Sequence, residues 1–376
     1  MSSDTRWASV EIDVDAIEHN VRQLRALASP AAVWAVVKAD GYGHGAVDVA
    51  QAAIRGGAEG LCVALVAEGI ELRRAGIDVP ILLLSEQPVE TAARIIEFRL
   101  TPTVYSRHFL DALVAARPNG LPIHLKIDTG MQRVGAHPHS VPSLLASIAE
   151  RAQAIRLAGV YTHLAVADEV GHEFTEVQLE RFEAALVHVP TGIPVHAANS
   201  AGTLAHPAAR RDIIRPGIAI YGITPGPGVD HLVGDLRPAL ELRARVGYVK
   251  QVAAGSRISY GLRHTFSHDT TVATVPLGYA DGVPRRLAAV GGQVLVHGVR
   301  RPIVGVITMD QLMIDCGDLP VAVGDEVVLI GGNRDGAGDR PIHAEEWAEL
   351  LDTIGYEIVC GISARVPRVP RRSIDG

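Results

Sequence analysis

Two patterns and one break in the sequence predict an α/β fold: an eight-stranded (β/α) TIM-type barrel followed by a smaller, mostly β C-terminal domain. Over the first two-thirds of the 376 residues, short apolar runs alternate with amphipathic stretches. The runs are continuously apolar, the habit of parallel strands buried on both faces. The pattern stops at a Gly/Pro-rich connector, GITPGPG, near residues 226–238, where local breakers end regular structure.

The strand candidates, in order, are 33–38, 60–64, 81–84, 100–104, 123–128, 157–163, 195–199 and 212–215. Between them lie 45–55, 67–75, 89–97, 106–116, 141–151 and 175–188, where apolar residues recur at three- and four-residue steps, as on one face of a helix. Eight such strands suit a closed barrel; a doubly wound open sheet is the alternative that the same strands allow. Past the connector come β-rich runs at 240–252, 271–276, 293–297, 303–314 and 326–330, and one clear helix at 343–351. WASVEID (7–13) alternates like a strand, has no helix–strand unit before it, and is assigned to the β domain. The expected domains are therefore 1–13 joining 236–376, and the barrel at 14–235. The segment GGNRDGAGDR (331–340) lacks the Lys-Ser/Thr ending of a phosphate loop and reads as a surface loop.

Composition excludes several classes. Net charge is −7, which argues against a general nucleic-acid binder. The basic tail from Arg365 to Arg372 is broken by Pro367 and Pro370 and reads as a strand end with a solvated tail. The three cysteines, Cys62, Cys316 and Cys360, are odd in number and far apart, which fits reduced thiols in a cytoplasmic protein better than a disulfide framework or a zinc site. The first residues lack the apolar stretch of a signal peptide, and no run approaches the ~20 apolar residues that span a bilayer. Aromatic residues are scarce at 4%, and half of them are tyrosines, 8 against 3 Trp and 5 Phe. The core must therefore be aliphatic, and each tyrosine position carries weight.

Lys38 ends the first apolar run, in VVKADGYGHG. In a barrel, C-terminal strand ends converge on the active site, and lysine is costly to bury. Lys38 is thus either an amine nucleophile or a side chain snorkelling to solvent. The glycines that follow permit a tight turn and, with Tyr42 and His44, favour function. Lys126 ends a second run, in HLKIDTGMQRVG. Two strand-end lysines admit a Schiff-base enzyme or a metal hydrolase with a carbamylated bridging lysine. The hydrolase needs an early histidine pair, and the single His-x-His, His137-Pro-His139, follows the lysine run in a loop. No metal is expected.

VVKADGYGHG, LKIDTGMQRVG, THLAVAD, HAANSAG, IIRPGIAIYG, SYG, LGYADG, ITMDQL and GYEIVCGISARVPR occur in this order along the chain. Together they resemble the signatures of the alanine racemase family, a pyridoxal-phosphate-dependent family of fold type III, over essentially the whole length. The resemblance implies pyridoxal 5'-phosphate bound at Lys38 and interconversion of L- and D-alanine, supplying D-alanine for peptidoglycan. It implies two bases, Lys38 acting on the D-isomer and Tyr260 of the other subunit on the L-isomer, and hence a homodimer. An ordinary phenol titrates near ~10, so a phenolic base calls for cationic neighbours. The resemblance supplies His163, linked to Arg215, itself backed by His196. Arg215 would meet the pyridine nitrogen; arginine keeps its proton, so that nitrogen would stay unprotonated, whereas similar barrels that decarboxylate have a carboxylate there. By the same resemblance Tyr42, Ser200, Gly217, Ile218 and Tyr356 bind the cofactor. Arg133, the Met309 amide and Asn199 bind substrate, and Lys126 matches a position often carbamylated. Tyr279, Asp310 and Tyr356 shape the substrate's passage. Gln132 stands where many members have glycine. A racemase of broader specificity and a non-catalytic pyridoxal-phosphate-binding barrel are the alternatives; the latter lacks a C-terminal β domain.

Overall fold

The computed structural model describes residues 6–334 and 336–372. They form two compact units, one from Ala16 to Arg237 and one from Pro238 onward together with the chain up to Asp15.

In the first unit, eight parallel strands follow chain order around a nearly closed barrel: Ala32–Val36, Gly60–Val63, Ile81–Leu83, Thr101–Val104, Leu121–Lys126, Ile155–Tyr161, Val195–His196 and Ile213–Ile214. The last pairs with the first, Ala32 opposite Ile213. The Asp212 and Arg215 amides bond to the Val195 and Ala198 carbonyls across the remaining seam. That pairing excludes an open doubly wound sheet, in which first and last strands are not neighbours. Six of the eight strands are shorter than their apolar runs, and the fifth and sixth match theirs in length but lie two residues earlier. Most of the difference lies at the C-terminal ends, where the chain leaves the ladder to present side chains. Residues 33–38 thus end as a strand at Val36, and Lys38 begins a separate helical turn, Lys38–Tyr42. The helix Val14–Ala28 was not anticipated, although apolar residues at 14, 17, 21 and 24 carry its period.

Small residues make room for rings between neighbouring strands. Gly60 lies opposite Trp34 and Gly159 opposite His124. A Cβ at either glycine would come within 2.6 Å of the facing ring.

The second unit is built on a nine-stranded, mainly antiparallel sheet. Its strand Ala8–Asp13 runs antiparallel to Leu240–Arg245 and parallel to the tail strand Arg368–Arg371. Two runs divide. Residues 240–252 break at Val246-Gly247, and the second part, Tyr248–Val252, pairs elsewhere, with Thr270–Val275. Residues 303–314 belong to two strands, Val299–Val304 and Leu312–Gly317, which pair antiparallel across a reversal carrying Met309 and Asp310. A second helix, Gly355–Cys360, follows Ala344–Leu351; at six residues it is too short to show a period. Among the described residues, no helix is long and apolar enough to cross a membrane.

Buried Arg243 ties three strands of this sheet. It meets Glu326 at 2.6 Å, Glu241 at 2.7 Å, the Gly332 carbonyl at 2.7 Å and, more distantly, Glu11 at 3.5 Å. Removing one partner of a buried charge network is strongly destabilising. Glu241 and Glu326 remain about a third exposed and can rehydrate, so Arg243→Ala should cost about 3 kcal/mol, the low end of the usual range. A shift of the C-terminal unit's urea transition measures it; an unchanged midpoint would refute the network's role.

Candidate active site

The polar residues of the barrel unit gather at the C-terminal ends of its strands. Lys38 follows the first strand, Lys126 ends the fifth, His163 lies just past the sixth, His196 ends the seventh and Arg215 follows the eighth.

The turn after the first strand is left-handed over four consecutive residues, with φ of 52°, 52°, 60° and 53° at Ala39, Asp40, Gly41 and Tyr42. Three of these are not glycine, and such residues each cost about 1–2 kcal/mol in this region. Two carboxylates hold the turn: Glu68 accepts from the Ala39 amide at 2.7 Å, and Asp40 accepts from the Ala46 amide at 2.8 Å. The Lys38 ammonium lies 5.9 Å from the Tyr42 ring centre.

Arg215, 3% exposed, is the centre of a buried hydrogen-bond network. Its Nη1 donates to His196 Nδ1 at 2.6 Å, and its Nη2 to the carbonyls of Thr162 and Ala197 at 2.7 and 3.2 Å. Three of the guanidinium's five N–H groups are so engaged, leaving Nε–H and one Nη1–H for a ligand. His196 Nε2 in turn meets His124 Nδ1 at 3.0 Å. The Tyr161 ring stacks on His196 with centres 4.7 Å apart and lies 4.8 Å from the Arg215 guanidinium, its hydroxyl fixed by Thr103 and the Leu84 carbonyl. The Arg215–His196 link is thus direct, while no hydrogen bond joins His163 to Arg215 among the described residues. His163 and Arg215 interact through charge alone. Burial first, then Arg215, Lys126, Arg133 and Lys38, hold His163 well below the usual imidazole range.

Lys126 is 5% exposed, its Nζ 5.4 Å from the Tyr161 ring centre. Burial, reinforced by Arg215 and Arg133, lowers its amine to about 7. Arg133 is exposed on the loop after this strand. Gln132 beside it has φ of 57°, and its amide bonds to Asp128 at 3.1 Å, as does that of Gly130 at 2.9 Å. A positive φ is the physical reason glycine suits position 132.

Ser200 begins the helix Ser200–Ala205, capped by Asn199, whose carboxamide oxygen accepts from the Gly202 amide. The Ser200 hydroxyl accepts from the Gly217 and Ala219 amides at 2.9 and 3.2 Å. The buried Ile218 amide between them donates to no acceptor among the described residues. A Cβ at Gly217 would lie 2.5 Å from the Tyr42 hydroxyl. A hydroxyl, an unspent amide and a phenol around a glycine make a cradle for a phosphate-sized anion. With three cations, Lys38, Arg133 and Arg215, in the surrounding set, the residues fit an anionic cofactor.

In the C-terminal unit, Tyr260 is 73% exposed on a short turn, Tyr260–Leu262. Ser259 before it bonds the Val306 carbonyl at 2.8 Å. Tyr279 and Met309 lie on two loops knitted by bonds from the Tyr279 and Ala280 amides to the Thr308 and Met309 carbonyls, both 3.0 Å. Gly278 permits that approach, since a Cβ there would meet Thr308 O at 2.3 Å. Asp310 pairs with Arg365 at 2.7 Å. Tyr356 sits, partly buried, on the helix Gly355–Cys360.

The chain matches the alanine racemase N-terminal domain model over residues 12–225 and the C-terminal domain model over 239–370. The chain belongs to the alanine racemase family. It is 49% identical over 370 residues to alanine racemase of Symbiobacterium thermophilum, covering 96% of each chain, and 46% identical to that of Salinispora arenicola, covering 96% of this chain and 97% of the other. A crystal structure of alanine racemase from E. faecalis is 38% identical with a TM-score of 0.91, over 99% of this chain and 100% of that one. The Bacillus anthracis alanine racemase with bound L-Ala-P is 39% identical with a TM-score of 0.90, over 98% and 96%. The family's activity, isomerisation of alanine, is therefore this chain's.

Sequence reading passed over His124, Tyr161 and Glu68. The first was within reach: His124 stands two residues before Lys126 on one strand, and residues two apart share a face. Glu68 caps its own helix by accepting the Ala64 and Leu65 amides, but its bond to Ala39 and the bonds of the Tyr161 hydroxyl to Thr103 and Leu84 carry no local signal, because those partners are distant in the chain. Ser200→Ala leaves two buried amides without an acceptor, and each such loss is worth roughly 1–3 kcal/mol. Urea unfolding of the cofactor-free protein should show about 2–4 kcal/mol lost; a change below 1 kcal/mol would refute this role for the hydroxyl.

Proposed function

We propose that the chain interconverts L- and D-alanine with pyridoxal 5'-phosphate at Lys38, by two bases on opposite faces of the substrate. The observation that carries this reading is Arg215, buried, donor-only, and left with two N–H groups for a ligand. When bound, the cofactor supplies an electron sink for the charge that develops on alanine Cα as its proton leaves. The Lys38 amine holds or accepts that proton on the face of the D-isomer, and the Tyr260 hydroxyl of the second subunit on the face of the L-isomer. Arg215 donates to the ring nitrogen and, unable to release its own proton, keeps that nitrogen neutral, which moderates the sink and disfavours side reactions. His163, held well below the usual imidazole range by burial and the nearby cations, would stay neutral beside the bound cofactor. Tyr42, Ser200, the amides of Gly217 and Ile218, and Tyr356 bind the phosphate.

Arg133, through its planar fork, and the Met309 amide hold the substrate carboxylate, with Asn199 near them. Tyr279, Asp310 and Tyr356 narrow the passage. Lys126 forms a carbamate that orients Arg133: the neutral amine attacks carbon dioxide, a C–N bond forms, and one proton is released. The homodimer reading is supported by Tyr260, Leu262, Tyr279 and Met309, all large and exposed on the C-terminal unit. Three free cysteines, two of them buried, support a reducing cytoplasmic setting, where D-alanine would feed peptidoglycan synthesis.

Racemisation assays on L-alanine, L-serine and L-lysine with added cofactor test the activity and its breadth; turnover of all three at similar kcat/KM would overturn the alanine assignment. Tyr260→Phe should slow proton abstraction from L-alanine by about 10²–10⁴-fold while D-side exchange falls far less. Mixing it with Lys38→Ala should restore about a quarter of wild-type activity through mixed dimers. No restoration on mixing would rule out sites shared between subunits. With the Lys126 amine lowered to about 7, the neutral form dominates above that pH rather than above its ordinary ~10.4. ¹³C-bicarbonate should therefore give a carbamate resonance growing as pH rises through 7 and lost in Lys126→Ala. A resonance that grows only above pH 10 would count against a buried, cation-surrounded amine.

A further inference from the structure

Behind Arg215 the network continues to a residue that no reading of the reaction uses. His124, 1% exposed, lies in the strand Leu121–Lys126, and its Nδ1 is 3.0 Å from His196 Nε2. Its ring also lines a cavity of about 410 Å³ at the opposite end of the barrel, among Trp34, Thr101, Pro122 and Arg156 near the N-terminal ends of the strands.

The direction of each bond in this chain is determined. Arginine has no acceptor atom, so in the 2.6 Å contact between Arg215 Nη1 and His196 Nδ1 the imidazole nitrogen must carry the lone pair. A neutral His196 then holds its proton on Nε2 and donates to His124 Nδ1. His124 accepts there, so its own proton sits on Nε2. Both rings must be neutral for this order to hold, because an imidazolium offers donors only. Burial, with Arg215 adding to it, keeps His196 well below its usual range and lowers His124 to about 3. The rings have little room to adopt another arrangement. Tyr161 stacks on His196 at an interplanar angle of 12°, Trp34 lies 5.2 Å from His124, and Gly159 leaves the space that a Cβ would take from His124 at 2.6 Å.

We infer that His124 is a positioning residue: by accepting from His196 Nε2 it selects the tautomer whose Nδ1 holds Arg215, and so sets how the guanidinium is presented to the cofactor's ring nitrogen. This rests on the proposed meeting of Arg215 with that nitrogen. Without an acceptor at position 124, His196 has two options. It buries an unpaired Nε2–H, or it moves its proton to Nδ1 and confronts Arg215 donor to donor. Either loosens Arg215. Glutamine, whose side-chain oxygen accepts, should substitute for His124; leucine, close in volume, should not.

The test uses the holoenzyme labelled with ¹⁵N-histidine, as wild type, His124→Leu and His124→Gln. In the wild type, His196 should show an unprotonated, hydrogen-bonded Nδ1 and a protonated Nε2, with coupling across to His124 Nδ1. In His124→Leu that pattern should be lost and kcat should fall about 10- to 100-fold, the scale of a small misplacement, with KM for alanine little changed. In His124→Gln the His196 tautomer and most of kcat should return. A proton on His196 Nδ1 in the wild type overturns the inference even if the leucine variant does not fold. So does an unchanged His196 pattern in a folded His124→Leu. The underlying reading fails separately: if the visible band of the bound cofactor is the same in wild type and Arg215→Ala, Arg215 does not meet the ring nitrogen, whatever the histidines do.

Discussion

A buried guanidinium that can only donate is the constraint on which the candidate site depends. Arg215 has no carboxylate among its hydrogen-bond partners; it is held by two backbone carbonyls and one imidazole lone pair. A buried cation of this kind is tolerable only when its donors are met, and the acceptors here come from two stretches of chain at the barrel's C-terminal rim, Thr162 past the sixth strand and His196-Ala197 at the end of the seventh. The requirement propagates outward. It dictates that His196 be neutral and of one tautomer and that His124 accept from it; Tyr161, fixed by Thr103 and the Leu84 carbonyl, packs its ring against His196 and Arg215. Arg215, with Lys126, Arg133 and Lys38, adds to burial in pushing His163 toward neutrality, and the positive charge of this set draws anionic groups.

The second constraint is the left-handed turn from Ala39 to Tyr42. Backbone strain in three non-glycine residues persists only where surrounding contacts over-determine it. Here Glu68 supplies such a contact by accepting the turn's Ala39 amide, and Asp40, within the turn, accepts the Ala46 amide that opens the next helix. The turn ends with Tyr42, whose hydroxyl reaches the space beside Gly217 that no Cβ could share. Lys38 and the anion cradle are thus coupled through one piece of strained backbone, which explains why its sequence, KADGYGHG, is dense in small residues.

Much of the barrel was legible in the sequence because parallel strands buried on both faces leave continuous apolar runs, and those runs mark strands even when their ends do not. The ends were misjudged at Lys38 and within 303–314. Hydrophobicity reports burial, not hydrogen bonding, and apolar residues continue past the point where the ladder stops. The helices Val14–Ala28 and Gly355–Cys360 escaped for different reasons, the first as an unread period, the second because six residues carry none. Of the tyrosines, Tyr42, Tyr221, Tyr260, Tyr279 and Tyr356 stood in motifs; Tyr161 stood in none, yet it packs against Arg215 and His196 at the middle of the buried network.

By itself the sequence determined the residue types and their order: strand-end lysines, an arginine before Pro-Gly, glycines at tight turns, and a ring-poor aliphatic core. These are local properties, set by side-chain chemistry and by the backbone freedom of single residues. The tertiary structure alone decided which partners meet. Arg215, His196 and His124 are joined across three strands, Glu68 reaches the turn from the helix Val66–Arg74 beyond the second strand, and the direction of every hydrogen bond in the network follows from an arginine that has no lone pair to offer. Contacts between strands depend on register and closure, and no pattern confined to one segment encodes them.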